Sequence, residues 1–137
     1  MDDRELIRAA FGAMERAYAP YSGYKVGAAL LCVGGRVYTG CNIENASYTP
    51  TVCAERTAFF KALSEGERSF VKIAVVGGKN GEVSGYFVPC GVCRQVMAEF
   101  CGDDFLVLIA KTEDDYLSKT LNDLLPCRFS PQYIVED

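Results

Sequence analysis

The chain has 137 residues, a length typical of one domain. Its 14 basic and 18 acidic residues give a net charge of −4, which argues against a protein held to nucleic acid mainly by phosphate contacts. Half of the residues are hydrophobic and 23% are charged, which argues against disorder. No apolar run reaches the roughly 18 residues that a membrane-spanning helix needs.

Hydrophobic periodicity predicts helices and strands along the whole chain. In chain order these are a helix at residues 5–18, strands at 28–33 and 36–39, a helix at 53–63, a strand at 71–76, a helix at 90–100, a strand at 105–110 and a helix carrying Leu117, Leu121, Leu124 and Leu125. Gly34-Gly35 predicts a tight turn between the first two strands. Because the later strands alternate with helices, we expect a mixed sheet with helices on both faces.

Seven cysteines and no histidine restrict the chemistry. The absence of histidine removes the commonest general base, the Ser–His type of nucleophile and every imidazole metal ligand. The cysteine count is odd, and the N-terminus is acidic where a secretory signal would be basic, so we expect reduced thiols in the cytosol. Four of the cysteines are interpreted as small buried hydrophobic residues, namely Cys32, Cys41, Cys101 and Cys127.

The other three cysteines occur in two short stretches that should each open a helix, Cys53-Ala54-Glu55-Arg56 and Pro89-Cys90-Gly91-Val92-Cys93. Cys90 and Cys93 lie three residues apart, so they share one helix face with β-carbons about 5–6 Å apart. Thiolates at that spacing can share a tetrahedral zinc ion through bonds of about 2.3 Å. Cys53 is the natural third ligand, because the positive end of a helix favours the thiolate there too.

Three sulfurs leave a fourth coordination position, which a structural zinc closes with another ligand and a catalytic zinc keeps for water. Glu55 favours the catalytic interpretation, since its carboxylate could reach a water on the metal without being a ligand. Three thiolates outweigh the charge of Zn²⁺, so the metal needs a nearby cation to remain a good Lewis acid. Arg94 directly follows Cys93 and Arg56 lies three residues after Cys53, and we infer that at least Arg56 donates to sulfur.

Two other interpretations of these stretches remain open. Cys90-x-x-Cys93 at a helix start also resembles a disulfide-exchange motif, which would need no metal. A closed structural zinc with Cys41 or Cys101 as its fourth ligand would bind metal without turnover.

The sequence resembles the small, homotetrameric, zinc-dependent cytidine deaminases over nearly its whole length. The resemblance is carried by residues 21–30, 40–48, the two cysteine stretches and 124–129. The zinc pattern is shared by many deaminases, whereas residues 42–48 narrow the resemblance to nucleosides. A related deaminase acting on another aminopyrimidine would keep the cysteines and replace Asn42-Ile43-Glu44.

The resemblance implies a single zinc-dependent nucleoside deaminase domain over residues 1–137. Its fold would be α/β, a cytidine-deaminase-like three-layer α/β/α sandwich around a mixed five-stranded sheet. A fifth strand is therefore expected either just before or after residues 126–133. The resemblance also implies a cytoplasmic homotetramer that acts in pyrimidine salvage, shares its sites between subunits and has neither nucleic acid nor membrane as a partner.

The resemblance further implies that Cys53, Cys90 and Cys93 bind one Zn²⁺ per chain. Glu55 would shuttle a proton from the zinc water to ring N3 and then to the departing amino group. Zinc hydroxide would attack C4 and ammonia would leave. Cytidine and 2′-deoxycytidine would thus become uridine and 2′-deoxyuridine.

For the substrate, the resemblance implies that Asn42 and Glu44 hold ribose hydroxyls. A carboxylate at that position disfavours a phosphate, so we expect free nucleosides rather than nucleotides or polynucleotides. The backbones of Ala54 and Cys90 would hydrogen-bond the base or the attacking oxygen.

Three aromatic residues complete the implied site. Tyr24 stands where the family usually has a phenylalanine against the base. Phe129 would lie near the pyrimidine of a neighbouring subunit's site, and Tyr48 would lie at a subunit boundary.

Overall fold

A computed structural model describes residues 1–134 and shows one sheet between helices. Its elements, in chain order, are α1 (Asp3–Met14), β1 (Tyr24–Cys32), β2 (Val37–Cys41), α2 (Ala54–Ser64), β3 (Phe70–Lys79), α3 (Gly91–Phe100), β4 (Leu106–Ala110), β5 (Tyr116–Thr120), α4 (Leu121–Leu124) and a 3₁₀ helix (Pro131–Tyr133). In this part of the chain, no helix combines the length and the apolar character that crossing a bilayer requires.

The sheet has five strands in the order β2-β1-β3-β4-β5. Strand β1 is antiparallel to both β2 and β3, β4 is parallel to β3, and β5 is antiparallel to β4. Helix α3 lies in the crossover between the two parallel strands, as a parallel pair requires. The mixed five-stranded sheet is as predicted.

Successive strand residues point to opposite faces of the sheet, so the strands supply two separate cores. On one face, α1 packs through Leu6, Ile7 and Ala10 against alternate residues of β1, β3 and β4. On the other face, Phe59 of α2 and Met97 of α3 pack against the intervening residues of the same strands. These are the three predicted α/β/α layers, and the helices that carry the cysteines lie together on one side.

Close backbone contact fixes where α2 lies on the sheet. A β-carbon added at Gly40 of β2 would lie 2.5 Å from the carbonyl oxygen of Ala54 and 2.6 Å from the amide nitrogen of Ala58. Only glycine therefore lets the first turn of α2 rest against β2. That turn follows Cys53 directly and carries Glu55.

The first helix is shorter than predicted at its C-terminus. It was expected to reach residue 18, but it ends at Met14. The amide of Tyr18 donates to the carbonyl of Asn42 (2.9 Å), and the amide of Glu44 donates to the carbonyl of Tyr18 (2.9 Å). These two hydrogen bonds form a parallel bridge between residues 18 and 43 beside the sheet, and this extended pairing ends the helix before residue 18.

The predicted last helix is wrong in its first half. Leu117 lies in β5, and the helix that follows is a single turn closed by a capping box between Thr120 and Asp123. Leucines spaced four apart are typical of a helix. Without β5, however, β4 would be the edge strand of the sheet, and pairing with β5 satisfies the backbone groups of β4 that would then be unpaired. The fifth strand thus lies before residues 126–133, separated from them by α4.

Candidate active site

The N-termini of α2 and α3 bring the three predicted cysteines together. Cys53 and Cys90 are the N-cap residues of these two helices, and Cys93 lies in the first turn of α3. Neither N-cap side chain makes a capping hydrogen bond. The sulfurs therefore lie beside two helix ends whose first amides have no acceptor within the helix, which favours negative charge on sulfur.

The sulfur spacing matches a shared metal ion. The Sγ atom of Cys90 lies 3.7 Å from that of Cys53 and 3.6 Å from that of Cys93, and all three lie within 4.8 Å of one another. Two sulfurs bound at about 2.3 Å to one tetrahedral zinc ion are separated by about 3.8 Å. The donor set and its spacing therefore fit a single Zn²⁺.

Two cysteines that were considered as a fourth ligand lie outside this group. Within residues 1–134, the cluster of three is the only group of histidine, cysteine, aspartate or glutamate side chains placed to hold a metal, and neither Cys41 nor Cys101 belongs to it. This placement argues against a closed structural zinc built with either thiol.

Arg56 contacts the sulfur cluster. Its Nη2 atom donates to Cys53 Sγ over 3.4 Å, while its buried Nε atom has no hydrogen-bond partner among residues 1–134. A hydrogen bond from the Cys93 thiol, supported by the one from Arg56, lowers the pKa of the Cys53 thiol to about 5. The hydrogen bond to Cys53, together with burial, raises the pKa of Cys93. The cluster thus favours at least one thiolate at neutral pH.

Arg94 has a different set of partners. Its Nε donates to the carbonyl of Pro89 (2.8 Å) and its Nη1 to the carbonyl of Leu124 (2.6 Å). These bonds join the start of α3 to α4. Of these two arginines, Arg56 contacts sulfur, whereas Arg94 donates to backbone carbonyls.

A cavity of about 440 Å³ opens beside the sulfurs. Its lining residues are Ser22, Tyr24, Val26, Asn42, Glu44, Thr51, Val52, Cys53, Glu55, Phe87, Val88 and Cys90. Apolar and aromatic side chains make up much of this lining, with three carboxylate or amide groups among them, as in sites for small organic molecules.

Glu55 is the buried acid of the cavity. Its side chain is only 3% exposed, and burial raises its pKa to about 7. A glutamate in the first turn of a helix that faced solvent would keep an ordinary carboxyl pKa. A carboxyl that titrates near neutral pH can both accept and release a proton there.

Asn42 is held rigidly at the edge of the cavity. Its Oδ1 accepts from the amide of Val26 (2.9 Å), and its Nδ2 donates to the carbonyl of Tyr24 (2.7 Å). One amide hydrogen and one lone pair remain beyond these two bonds. The side chain therefore fixes the start of β1 and keeps hydrogen-bonding capacity for a ligand.

Glu44 is held as an anion. Its Oε1 accepts from the amides of Tyr21 (2.9 Å) and Ser22 (3.1 Å), and its other oxygen accepts from the hydroxyl of Ser22. The Ser22 hydroxyl, assisted by the two amides, lowers the pKa of Glu44. A fixed negative charge thus lines the cavity next to Asn42.

The predicted aromatic residues divide into two groups. Tyr24 lines the cavity, with its ring 6.1 Å from that of Phe87. Phe129 is 58% exposed, stacks on Tyr133 and is not among the cavity residues of its own chain. Tyr48 is 74% exposed and borders a second hollow next to Glu44. The structure therefore brings Tyr24, but not Phe129, to the cavity within one chain.

The predicted backbone contributors lie at the helix starts. Ala54 is buried as the first residue of α2, and Cys90 precedes α3.

Phe87 lines the cavity but was not predicted as a site residue. The loop that carries it shows no periodicity to indicate that its side chain returns to the cavity.

The three-layer fold and the three-thiol cluster define an α/β/α protein with a cysteine metal centre. Residues 1–109 match the family model of the cytidine and deoxycytidylate deaminase zinc-binding region. The chain belongs to this family of zinc-binding deaminases, and its three-thiol cluster fits the family's zinc ion.

Individual relatives are similar over most of their length. The chain is 51% identical over 132 residues to the cytidine deaminase of Sporosarcina psychrophila, covering 96% of this chain and 94% of that protein. It is also 51% identical over 132 residues to the cytidine deaminase of Halalkalibacterium halodurans, covering 96% of this chain and 97% of that protein. The crystal structure of cytidine deaminase from Burkholderia pseudomallei superposes with a TM-score of 0.87 at 49% identity, covering 94% of this chain and all of that one.

Proposed function

We propose that this chain deaminates cytidine and 2′-deoxycytidine hydrolytically to uridine and 2′-deoxyuridine, with release of ammonia, in pyrimidine salvage. The observation that carries the proposal is the placement of three sulfurs within 4.8 Å of one another beside the same cavity that contains the buried carboxyl of Glu55. Relatives that are called cytidine deaminases match nearly the whole chain, which supports the same conclusion.

Cys53, Cys90 and Cys93 would hold one Zn²⁺ per chain. When bound, zinc supplies a nucleophile at neutral pH by lowering the pKa of water to about 7. Arg56 supports the centre by placing positive charge on Cys53 Sγ, which offsets the excess negative charge of three thiolates.

Glu55 moves the protons. The net reaction breaks the exocyclic C4–N bond and forms a C4–O bond, with water as the only co-reactant. Glu55 takes protons from the attacking water and delivers one to ring N3 and one to the departing amino group. A pKa near 7 suits both directions of transfer, because neither protonation state is strongly preferred at neutral pH.

Asn42 and Glu44 would bind the ribose hydroxyls, and Tyr24 would pack against the base. The fixed carboxylate of Glu44 repels a phosphate, which favours free nucleosides. The backbone groups of Ala54 and Cys90, at the starts of α2 and α3, would hydrogen-bond the base or the attacking oxygen.

We further propose that residues 1–137 form one domain that assembles as a cytoplasmic homotetramer. Phe129 would reach the pyrimidine of a neighbouring subunit's site, and Tyr48 would lie at the boundary. Both rings are largely exposed in the single chain, which supports their burial between subunits.

The test is to incubate the purified protein with cytidine and with 2′-deoxycytidine, follow the loss of the cytosine absorbance band, and assay bound metal in parallel. Deoxycytidine monophosphate serves as the comparison substrate. We expect bound zinc and turnover of both nucleosides, with far slower turnover of the nucleotide. A zinc-loaded protein that turns over neither nucleoside would reject the proposed function.

A further inference from the structure

We infer that Phe87 is a base-packing residue of this site, and that its ring and that of Tyr24 form an aromatic corner against which the pyrimidine ring packs. This inference rests on the proposed function and adds a substrate contact to it. The aromatic corner is defined by these two side chains, whose centroids lie 6.1 Å apart with an interplanar angle of 37°.

The position of Phe87 connects the aromatic corner to the reacting end of the cavity. Phe87 lies three residues before Cys90, and both line the cavity together with Glu55. Under the proposed function, carbon C4 of a bound pyrimidine must lie beside the sulfurs and Glu55, since the three cysteines would hold the zinc ion and Glu55 would move the protons of the reaction. The pyrimidine ring, of which C4 is a member, would therefore occupy the part of the cavity that Phe87 borders.

Gly77 makes room for the Phe87 ring. A β-carbon at this position would lie 2.8 and 3.0 Å from two atoms of the ring and 3.1 Å from Val26. The backbone of Gly77 lies within strand β3 and has no left-handed conformation, so an alanine would suit the strand itself. The missing side chain thus serves the close approach of Phe87.

Tyr24, the other ring of the aromatic corner, is fixed from outside the cavity. It is paired with Lys79 across β1 and β3, and Lys79 Nζ lies 5.2 Å from the centre of the Tyr24 ring. The carbonyl of Tyr24 accepts from Asn42. Because both rings are held before substrate arrives, little ordering is needed when a base packs against them.

The flat, π-bonded base is the part of the nucleoside that suits these rings. Stacking of a base on an aromatic side chain is tolerant of lateral position and adds affinity without directional bonds. A residue that touches the ring, rather than the reacting atoms, binds ground state and transition state alike. Its loss should therefore appear in KM more than in kcat.

The test compares Phe87→Ala, Phe87→Leu and Phe87→Tyr with the wild-type enzyme. We expect Phe87→Ala to raise KM for cytidine and the inhibition constant for uridine by about tenfold, with kcat within about twofold and zinc content unchanged. Phe87→Leu should give an intermediate increase, and Phe87→Tyr should stay near wild type. Tyr86→Leu is the control, because this exposed neighbour in the same loop bonds Asp115 and does not line the cavity.

A double-mutant cycle with Gly77→Ala separates base packing from general loosening of the loop. Gly77→Ala should raise KM several-fold in the wild type, because the new methyl group displaces the ring. In the Phe87→Ala background the same change should alter KM by less than about twofold. Independent effects of the two changes would contradict the inference.

Three results would overturn it. The first is a Phe87→Ala variant with unchanged KM for cytidine and unchanged inhibition constant for uridine. The second is a variant in which kcat falls while KM stays the same. The third is a variant that loses bound zinc, which would mean that Phe87 supports the loop before Cys90. Failure of the wild-type enzyme to deaminate cytidine would instead reject the proposed function, so the two failures are distinguishable.

Discussion

The guanidinium of Arg56 donates to the sulfur of Cys53 over 3.4 Å. Arg56 lies three residues after Cys53, in the first turn of α2. Under the proposed function, this contact would place a positive charge beside one of the three zinc-binding sulfurs. We expect Arg56→Ala to retain all three cysteine ligands but to lower zinc affinity about 10- to 100-fold, the usual effect of removing a partner of a metal ligand. Competition with a chromogenic chelator measures that affinity.

Arg68→Ala is the matched control for the loss of one positive charge. Among residues 1–134, Arg68 donates only to the backbone carbonyls of Leu63 and Glu67, away from the sulfurs. Zinc affinity and turnover should be unchanged in this variant. If Arg56→Ala also leaves both quantities at wild-type values, Arg56 has no part in balancing the charge of the centre.

Glu55→Gln should keep its zinc and its fold but lose turnover. The amide matches the carboxyl in shape and cannot carry a proton, and a positioned general acid–base contributes about 10²–10⁴ in rate. The rate with cytidine and the zinc content are measured together. Glu65→Gln, an exposed change at the C-terminus of the same helix, should be fully active. Wild-type turnover by Glu55→Gln would remove Glu55 from the mechanism.

Burial of Glu55 should also make the stability of the metal-free protein depend on pH. Its pKa is raised from 4.5 to about 7, so between these values the unfolded chain ionises first and the free energy of unfolding falls as pH rises. The full loss, reached above pH 7, is about 3 kcal/mol. Glu55→Gln lacks this titration.

Urea unfolding of the two metal-free proteins on either side of that pH window measures the difference. The wild-type protein should lose stability relative to Glu55→Gln as pH rises, and other titrating groups largely cancel because both proteins share them. If the free energies of unfolding of the two proteins change with pH in parallel, the carboxyl of Glu55 is solvated in the folded state.

Removal of zinc should expose a reactive thiol. Hydrogen bonds from Cys93 and Arg56 lower the pKa of Cys53 to about 5, so the metal-free protein has a thiolate there at neutral pH. We expect iodoacetamide to label Cys53 rapidly after chelation and not in the zinc-loaded protein. Mass spectrometry of peptides locates the label.

Other cysteines provide internal controls for that experiment. Cys127 was predicted to be buried, but this was wrong: it is exposed, so it should be labelled with or without zinc. Cys32 and Cys101 should react slowly throughout, since burial raises their pKa values to about 11 and about 12. Equal labelling of Cys53 in both states would show that its sulfur is not protected by a metal.

Much of the site could be predicted because its residues sit at helix starts that the sequence marks. Cys53, Glu55 and Cys90 lie in short stretches whose spacing has a chemical meaning, and the structure places all three beside one cavity. Phe87 could not be found in this way. Its role depends on the path of an irregular loop and on the space left at Gly77, and both are properties of the packed fold.

The strands were predictable where they are continuous apolar runs, and the prediction failed where polar and apolar residues are mixed. The interior strands β3 and β4 are continuous apolar runs and were predicted within a few residues. Strand β5 is an edge strand with no fully buried residue, so its pattern carries little information. Leu117 and Leu121 then matched helical spacing by chance, although they belong to different elements.

Gly40→Ala should destabilise the protein and disturb the site together. The new methyl group would lie 2.5 Å from the Ala54 carbonyl oxygen and 2.6 Å from the Ala58 amide, and backbone atoms cannot rotate away from it. Helix α2 must shift on the sheet, at a cost of about 1–3 kcal/mol or more, and its first turn carries Glu55. Urea unfolding of the zinc-loaded protein and the rate with cytidine are measured on the same preparation.

Gly12→Ala is the matched glycine change for that comparison. Gly12 lies in α1, and no atom of another element in the described part of the chain lies within 4 Å of an added β-carbon. Alanine is a better helix former, so this variant should gain up to about 1 kcal/mol and keep full activity. If Gly40→Ala behaves as Gly12→Ala does, the contact of α2 with β2 has more room than the structure shows. A loss of stability without any loss of rate would mean instead that the first turn of α2 keeps its position when the rest of the helix moves.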